Sequence, residues 1–182
     1  MNSKRKLTLA IIVIAVVASA AAAQTAAKQE YVDPNESFYN LTKAAPAAFK
    51  AGDMAAATSL ANALLTDAAK FEKDWNYGNA IHVGHLVLGR VAFSAGNLKE
   101  ANRQLLEAGQ TPGSPQLNTF GPDMRLAREL LEKGETETVL QYFEQCSKFW
   151  EQKLSKADEW KAQIRKGEIP DFGPNLVYFF NP

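Results

Sequence analysis

His82 and His85 stand three residues apart and are the only histidines in a chain of 182 residues. On a helix that spacing puts both imidazoles on one face, where they could share a metal ion. A zinc-type centre would need further donors, and these would have to be carboxylates or the single cysteine, Cys146. No His-Glu-x-x-His or Glu-x-x-His spacing surrounds the pair. A structural role is the simpler reading, with His85 at a packing position and His82 in the first helical turn, and a metal- or small-ligand-binding protein or enzyme built on His82 and His85 is the alternative. Cys146 lies between Glu144 and Lys148 with no histidine nearby in sequence, so it is expected to be a buried structural thiol rather than a nucleophile. Gly109, Gly113 and Gly121 are too dispersed to cradle a phosphate. Catalytic residues, a cofactor motif and a metal site are therefore not assigned.

The elements around these residues read as helices. Gln24 to Ser37 is polar, contains Asp33-Pro34-Asn35 and lacks helical periodicity, so it is expected to be a flexible lead-in ending in a turn. Phe38 to Lys50 favours helix, with Pro46 marking a start or a kink. Gly52-Asp53 closes that helix and caps the next, Met54 to Phe71, where Leu60, Leu64 and Leu65 form a stripe. Asn79 is placed to cap a helix from Ala80 to Ala95. Gly96 ends it, Asn97 caps its successor, and Glu100 is placed to reach back to the amide of Asn97. Gln110 to Gly121, with its prolines and glycines, is expected to be an ordered loop. Pro122 opens a third pair, Asp123 to Lys133 and Thr138 to Lys153, punctuated by Gly134.

Two ends lie outside this pattern. Met1 to Lys6 is basic, Leu7 to Val17 is an unbroken apolar run, and Ala18 to Ala23 is small throughout. That order is the order of a secretory signal peptide, with cleavage expected after Ala20 or Ala23. The alternative is an uncleaved inner-membrane anchor, since Leu7 to Ala23 is only just short of the roughly 20 apolar residues that span a bilayer. The chain carries 20 Lys and Arg against 20 Asp and Glu, and losing Lys4, Arg5 and Lys6 would leave it mildly acidic, which excludes nucleic acid as a partner. Export without any possible intramolecular disulfide fits a periplasmic or secreted bacterial envelope protein. At the other end, Phe149 to Ile164 has the stripe of a capping helix. Residues 167–182 form an apolar tail, whose Leu176-Val177-Tyr178-Phe179-Phe180 run must be covered by packing on the domain.

Between the ends, Leu88-Gly89, Gly96, Ala101, Leu105 and Ala108 follow the Leu-Gly, Gly, Ala, aromatic and Ala offsets of the tetratricopeptide repeat family, which the segment resembles. Fainter copies run through Ala44-Ala45, Ala48, Gly52, Ala57, Ala61 and Leu64, and through Leu126-Ala127, Leu130, Gly134, Phe143 and Cys146. The resemblance implies an all-α protein: a short α-solenoid of about three antiparallel helical hairpins over residues 38–166, closed by the capping helix. It also implies a concave groove lined by the first helix of each pair. Phe49, Lys50, Arg90, Phe93, Arg128 and Leu131 would face that groove, where bases beside apolar side chains suit a protein or peptide partner carrying an acidic group. The competing role for Arg90 and Arg128 is pairing with Glu100, Glu129 or Glu132 of their own scaffold.

Overall fold

The computed structural model describes residues 34–150 and 154–176. The expected signal segment, the expected lead-in up to Asp33 and the apolar run after Leu176 lie outside them. The described chain is all-helical. It forms α1 (Pro34–Lys50), α2 (Met54–Ala68), α3 (Tyr77–Ser94), α4 (Leu98–Gly109), α5 (Pro115–Phe120), α6 (Arg125–Leu131), α7 (Thr136–Cys146) and α8 (Leu154–Arg165), then a 3-10 turn at Gly173–Leu176. Among the described residues no helix is long and apolar enough to cross a membrane.

The turns explain where the helices stop. Gly52, Gly96 and Gly134 have φ of 81°, 75° and 84°, a conformation that costs a side-chain-bearing residue and suits glycine. Each is followed by the same closure: Asp53 N–H donates to Ala48 O, Asn97 N–H to Ala92 O and Glu135 N–H to Leu130 O. At the first two turns the next residue also starts the following helix, because Asp53 Oδ1 accepts from Ala56 N and Asn97 Oδ1 from Glu100 N. Glu135 makes no such cap. Its carboxylate instead accepts from Asn102 of α4 at 2.6 Å. The expected reach of Glu100 back to Asn97 is not made. The closure onto Ala92 already uses the Asn97 N–H, and the Glu100 carboxylate accepts from Arg103 and Gln104.

Several expected boundaries shift for reasons of local chemistry. Residues 34–37, expected in the lead-in, belong to α1, with Pro34 as its first residue, where a missing N–H costs nothing. The same helix runs on through Pro46, whose ring is buried. Residues 115–120, expected as loop, form α5: Ser114 Oγ accepts from Leu117 N and Pro115 fixes the first φ. Asn79 does not cap α3, which begins at Tyr77. It lies inside the first turn, 1% exposed, with its amide turned to neighbouring elements.

The core is assembled from small and branched side chains at helical spacing. Ala57, Ala61 and Leu64 of α2, Val83 and Val87 of α3, Ala101, Leu105 and Ala108 of α4, and Leu126 and Leu130 of α6 are all fully buried. Helix α1 packs on α2, α2 on α3, α3 on α4, and α4 on both α6 and α7. Small residues set how closely these helices approach. A Cβ at Gly89 would run into Leu126 and crowd Gln104, so α3, α4 and α6 meet there because the residue has no side chain. Helix α8 packs on α7 through Trp160 and Ile164, 3% and 2% exposed, with Trp160 against Phe143 and Phe172. The described part of the tail is held down by Phe172, which is fully buried.

Two glycine substitutions separate turn from packing. Gly96→Ala meets nothing within 4 Å and is expected to cost about 1 kcal/mol through its positive φ alone. Gly89→Val should cost about 3 kcal/mol by overpacking. Urea unfolding midpoints check the order; a milder effect at Gly89 would mean that α6 does not seat on α3 as described.

Candidate functional site

His82 is fully buried and both of its ring nitrogens are engaged: Nδ1 lies 3.1 Å from Ala108 O, and Nε2 accepts from Asp123 N at 3.1 Å. The carbonyl requires the proton on Nδ1 and the amide requires a lone pair on Nε2, so the ring is the neutral Nδ1–H tautomer. Burial dominates its acidity and lowers its pKa from 6.5 to about 4. His85 turns the other way, with Nδ1 2.7 Å from Gln104 Oε1. The two rings share a face but hold different partners. Among the described residues no group of three or more His, Cys, Asp or Glu side chains is placed to hold a metal ion. Cys146 is 1% exposed, and burial pushes its thiol well above the ordinary cysteine range, which suits packing rather than nucleophilic attack.

The residues expected to line a groove separate into two sets. Phe49 and Arg90 come together, the guanidinium carbon lying 4.5 Å from the ring centroid. Arg90 also donates from Nε and Nη2 to Glu129 of α6, so one file of side chains runs from α1 through α3 to α6. Arg128 pairs within its own helix with Glu132 at 3.2 Å, and both side chains are about half exposed. Lys50 is exposed and Phe93 half-buried, whereas Leu131 is buried at 9% exposure. Pairing with the scaffold is thus what the two arginines do here.

A second feature was hidden in the sequence. A cleft of about 400 Å³ opens where α1, the start of α3 and α5 meet, lined by Tyr39, Thr42, Lys43, Trp75, Asn76, Asn79 and Gln116. Trp75 is 53% exposed and stacks on Tyr39 with ring centroids 5.6 Å apart, while the Tyr39 hydroxyl donates to Asp74 at 2.7 Å. The rear wall is a chain of amides with a fixed direction. Ser114 Oγ accepts from Leu117 N, which leaves its own hydrogen for Asn79 Oδ1 at 2.6 Å. Asn79 Nδ2 gives to Gln116 Oε1 at 2.6 Å and to Asn76 Oδ1 at 3.0 Å. Asn76 Nδ2 in turn donates to Thr42 Oγ1 at 3.0 Å, and the threonine hydroxyl points to Phe38 O. A backbone N–H, Leu117 N, stands at one end of the chain and a backbone carbonyl, Phe38 O, at the other.

Read as a cap, Asn79 would serve only its own helix, which is why the cleft is not legible from the local pattern. The available signal was the density of Trp75, Asn76, Tyr77 and Asn79 beside the Ser114-Pro115 start of α5. A comparison with protein-family models, with curated proteins and with solved structures finds no match for the chain.

The neutral His82 carries a pH dependence. The folded state resists protonation down to about pH 4, whereas the unfolded ring takes up a proton near 6.5. Its contribution is therefore complete above that value and is lost as pH falls through the window, about 3 kcal/mol in all. Urea unfolding at about pH 7 and about pH 5 should show the fall, and His82→Gln, with no titrating ring, should flatten it. An unchanged slope in the variant would mean that other groups carry the dependence.

Proposed function

We propose that the chain is an exported binding module of the tetratricopeptide kind, in which α1, α3 and α6 present one continuous face to a protein or peptide partner. The spacing of contacts between elements supports the repeat. Tyr39 meets Asp74, Thr42 meets Asn76, Asn102 meets Glu135 and Arg90 meets Glu129 across 35, 34, 33 and 39 residues. Contacts at nearly constant separation are what stacked copies of one helix pair produce. Early residues of α1 meet the start of α3, and late residues of α1 meet late residues of α3, so these two helices run in the same direction. On this reading both lie on the concave side, and α2 and α4 form the back.

One observation carries the binding role: a half-exposed tryptophan, stacked on a tyrosine, stands at the mouth of a polar cleft on that face. A large amphipathic ring left in water beside convergent hydrogen-bonding groups has the composition of an interface anchor. The file Phe49, Arg90 and Glu129 extends the same face, with Lys50 and Arg128 exposed near it. The partner is expected to seat one anchor group in the cleft and to run along the file. Export rests on the basic, apolar and alanine-rich order of Met1 to Ala23.

Two measurements test this. Protein isolated from the native envelope should begin just after Ala20 or Ala23 by intact mass; a retained leader would assign it to the membrane surface instead. Crosslinking capture of a partner by the full chain should fall at least about tenfold in Trp75→Ala, in line with loss of an interface anchor. Lys50→Glu with Arg128→Glu should weaken capture less. If Trp75→Ala captures the partner as well as the unaltered chain, the cleft is not the working surface.

A further inference from the structure

The cleft where α1, the start of α3 and α5 meet presents donors and acceptors together. Asn79 is buried, and its carbonyl and amide nitrogen serve the wall itself. Gln116 receives Asn79 Nδ2 on Oε1 and keeps a second lone pair there, while its Nε2 has no acceptor among the described residues. Asn76, only 4% exposed, gives one Nδ2 hydrogen to Thr42 and one Oδ1 lone pair to Asn79, so one hydrogen and one lone pair remain. Each of these amides offers both kinds of group whichever way round it is placed. Beside them, each Asp74 oxygen makes one contact, with the Tyr39 hydroxyl or the Asn76 backbone amide, and can accept again. Lys43, exposed at the rim, balances that carboxylate, so the charges around the cleft cancel. Trp75, half-exposed and stacked on Tyr39, supplies a flat apolar surface.

A ligand that fits must carry an apolar face and, around its edge, groups that donate and accept at once. A carboxylate only accepts and would stand near the Asp74 charge, and an ammonium only donates and would meet Lys43. An aromatic side chain would stack on Trp75 but leave the amides of Asn76 and Gln116 unmet. A pyranose ring satisfies both demands. Its C–H bonds form a flat apolar face, and the hydroxyls around its edge each donate one hydrogen and accept others. A side-chain amide, with N–H and C=O side by side, matches two neighbouring hydroxyls. The volume of about 400 Å³ admits one such ring with a few waters. Resting on the reading of the cleft as the recognition surface, we propose that the anchor group it takes is a neutral pyranose ring of a glycan that the partner carries, with Trp75 against the ring face and Asn76 and Gln116 at its hydroxyls.

The methyl β-pyranosides of glucose, galactose and N-acetylglucosamine are the probes, N-acetylphenylalaninamide is the neutral peptide control, and ligand-observed saturation-transfer NMR with the full chain is the readout. At least one pyranoside should bind with a Kd of about 1 mM, typical of so small a ligand, and its strongest saturation should fall on the C–H bonds of one ring face. Trp75 is half-exposed, so its variants test stacking without disturbing the core. Trp75→Ala should weaken that sugar at least about tenfold, and Trp75→Tyr, which keeps a ring, should stay within about threefold of the unaltered chain. Gln116→Met, checked by its urea midpoint, should weaken it at least about fivefold through lost hydrogen bonds. The assignment is overturned if no pyranoside binds up to about 50 mM, if binding is the same in Trp75→Ala, or if the peptide control binds as tightly as the best sugar. The partner reading fails or stands separately. Capture that depends on Trp75 without any pyranoside binding keeps the partner surface and removes the sugar; a pyranoside seated on Trp75 without such capture does the reverse.

Discussion

The fold depends on satisfying the backbone of one buried loop, residues 121–124, which joins α5 to α6. Four buried residues in succession, Gly121, Pro122, Asp123 and Met124, form no helical ladder of their own, so their polar groups need partners from outside. Gly121 N and Met124 O bond locally to Leu117 O and Arg128 N, and the groups between them are met from a distance in sequence. His82 of α3 accepts from Asp123 N, Tyr142 of α7 donates to Asp123 O, and Asn175 donates to Pro122 O and Phe120 O while its own carbonyl accepts from Met124 N. His82 also reaches Ala108 O at the end of α4. A single junction thus fixes α3, α4, α6, α7 and the C-terminal segment in register. The Asp123 side chain, 1% exposed, is held by Arg125 at 2.8 Å, so the charge buried there is paired.

The junction also explains why the ring at His82 must be a histidine held neutral. The site asks for one acceptor toward an amide and one donor toward a carbonyl, on opposite sides of a flat, buried group. A neutral imidazole meets both demands, and a protonated one would face an N–H with another N–H. Stacking of Tyr142 on the same ring at 6.4 Å leaves little space for a rearrangement that could spare either bond. The aromatic path then continues from Tyr142 to Phe143, Trp160 and Phe172, so α8 and the segment after it are seated on the side chains that close the junction.

How much of this was legible depends on the range of the interaction concerned. The turns at Gly52, Gly96 and Gly134 were readable, because a left-handed closure and an Asp or Asn cap are set by adjacent residues. Buried alanines at helical spacing gave the all-helical class for the same reason. Asn79 was misread as a cap because in sequence a cap and a buried amide look alike. What distinguishes them is Ser114 and Gln116, more than thirty residues on. The Ser114-Pro115 start of α5 was readable in principle, but the surrounding glycines and prolines outweighed it. Scaffold pairing of Arg90 and Arg128 with Glu100, Glu129 or Glu132 was legible as the alternative to a groove, but helical position alone does not choose Glu129, 39 residues on, for Arg90. Position alone put His82 in the first helical turn, and the partners that give it a role, Ala108 O on α4 and Asp123 N in the loop before α6, lie 26 and 41 residues on.

The two polar networks differ in how they end, and that difference is what makes one of them structural and the other a candidate site. In the His82 junction the imidazole, the Tyr142 hydroxyl and the Asn175 side-chain nitrogen all bond to backbone groups of the protein. The Asn79 chain is closed at one end by the Leu117 amide and the Ser114 hydroxyl, and it branches toward the surface at Gln116 and Asn76. A hydrogen-bond chain has direction, so fixing its buried end fixes the character of its exposed end. Donation from Ser114 to Asn79 Oδ1 goes with donation from Asn79 Nδ2 to Gln116 Oε1, which turns the Gln116 carbonyl toward Asn79. The orientation of the Gln116 amide is therefore tied to a backbone N–H in α5 that lies behind the cleft. The orientation of that amide and the α3–α5 contact are two consequences of one arrangement of hydrogen bonds.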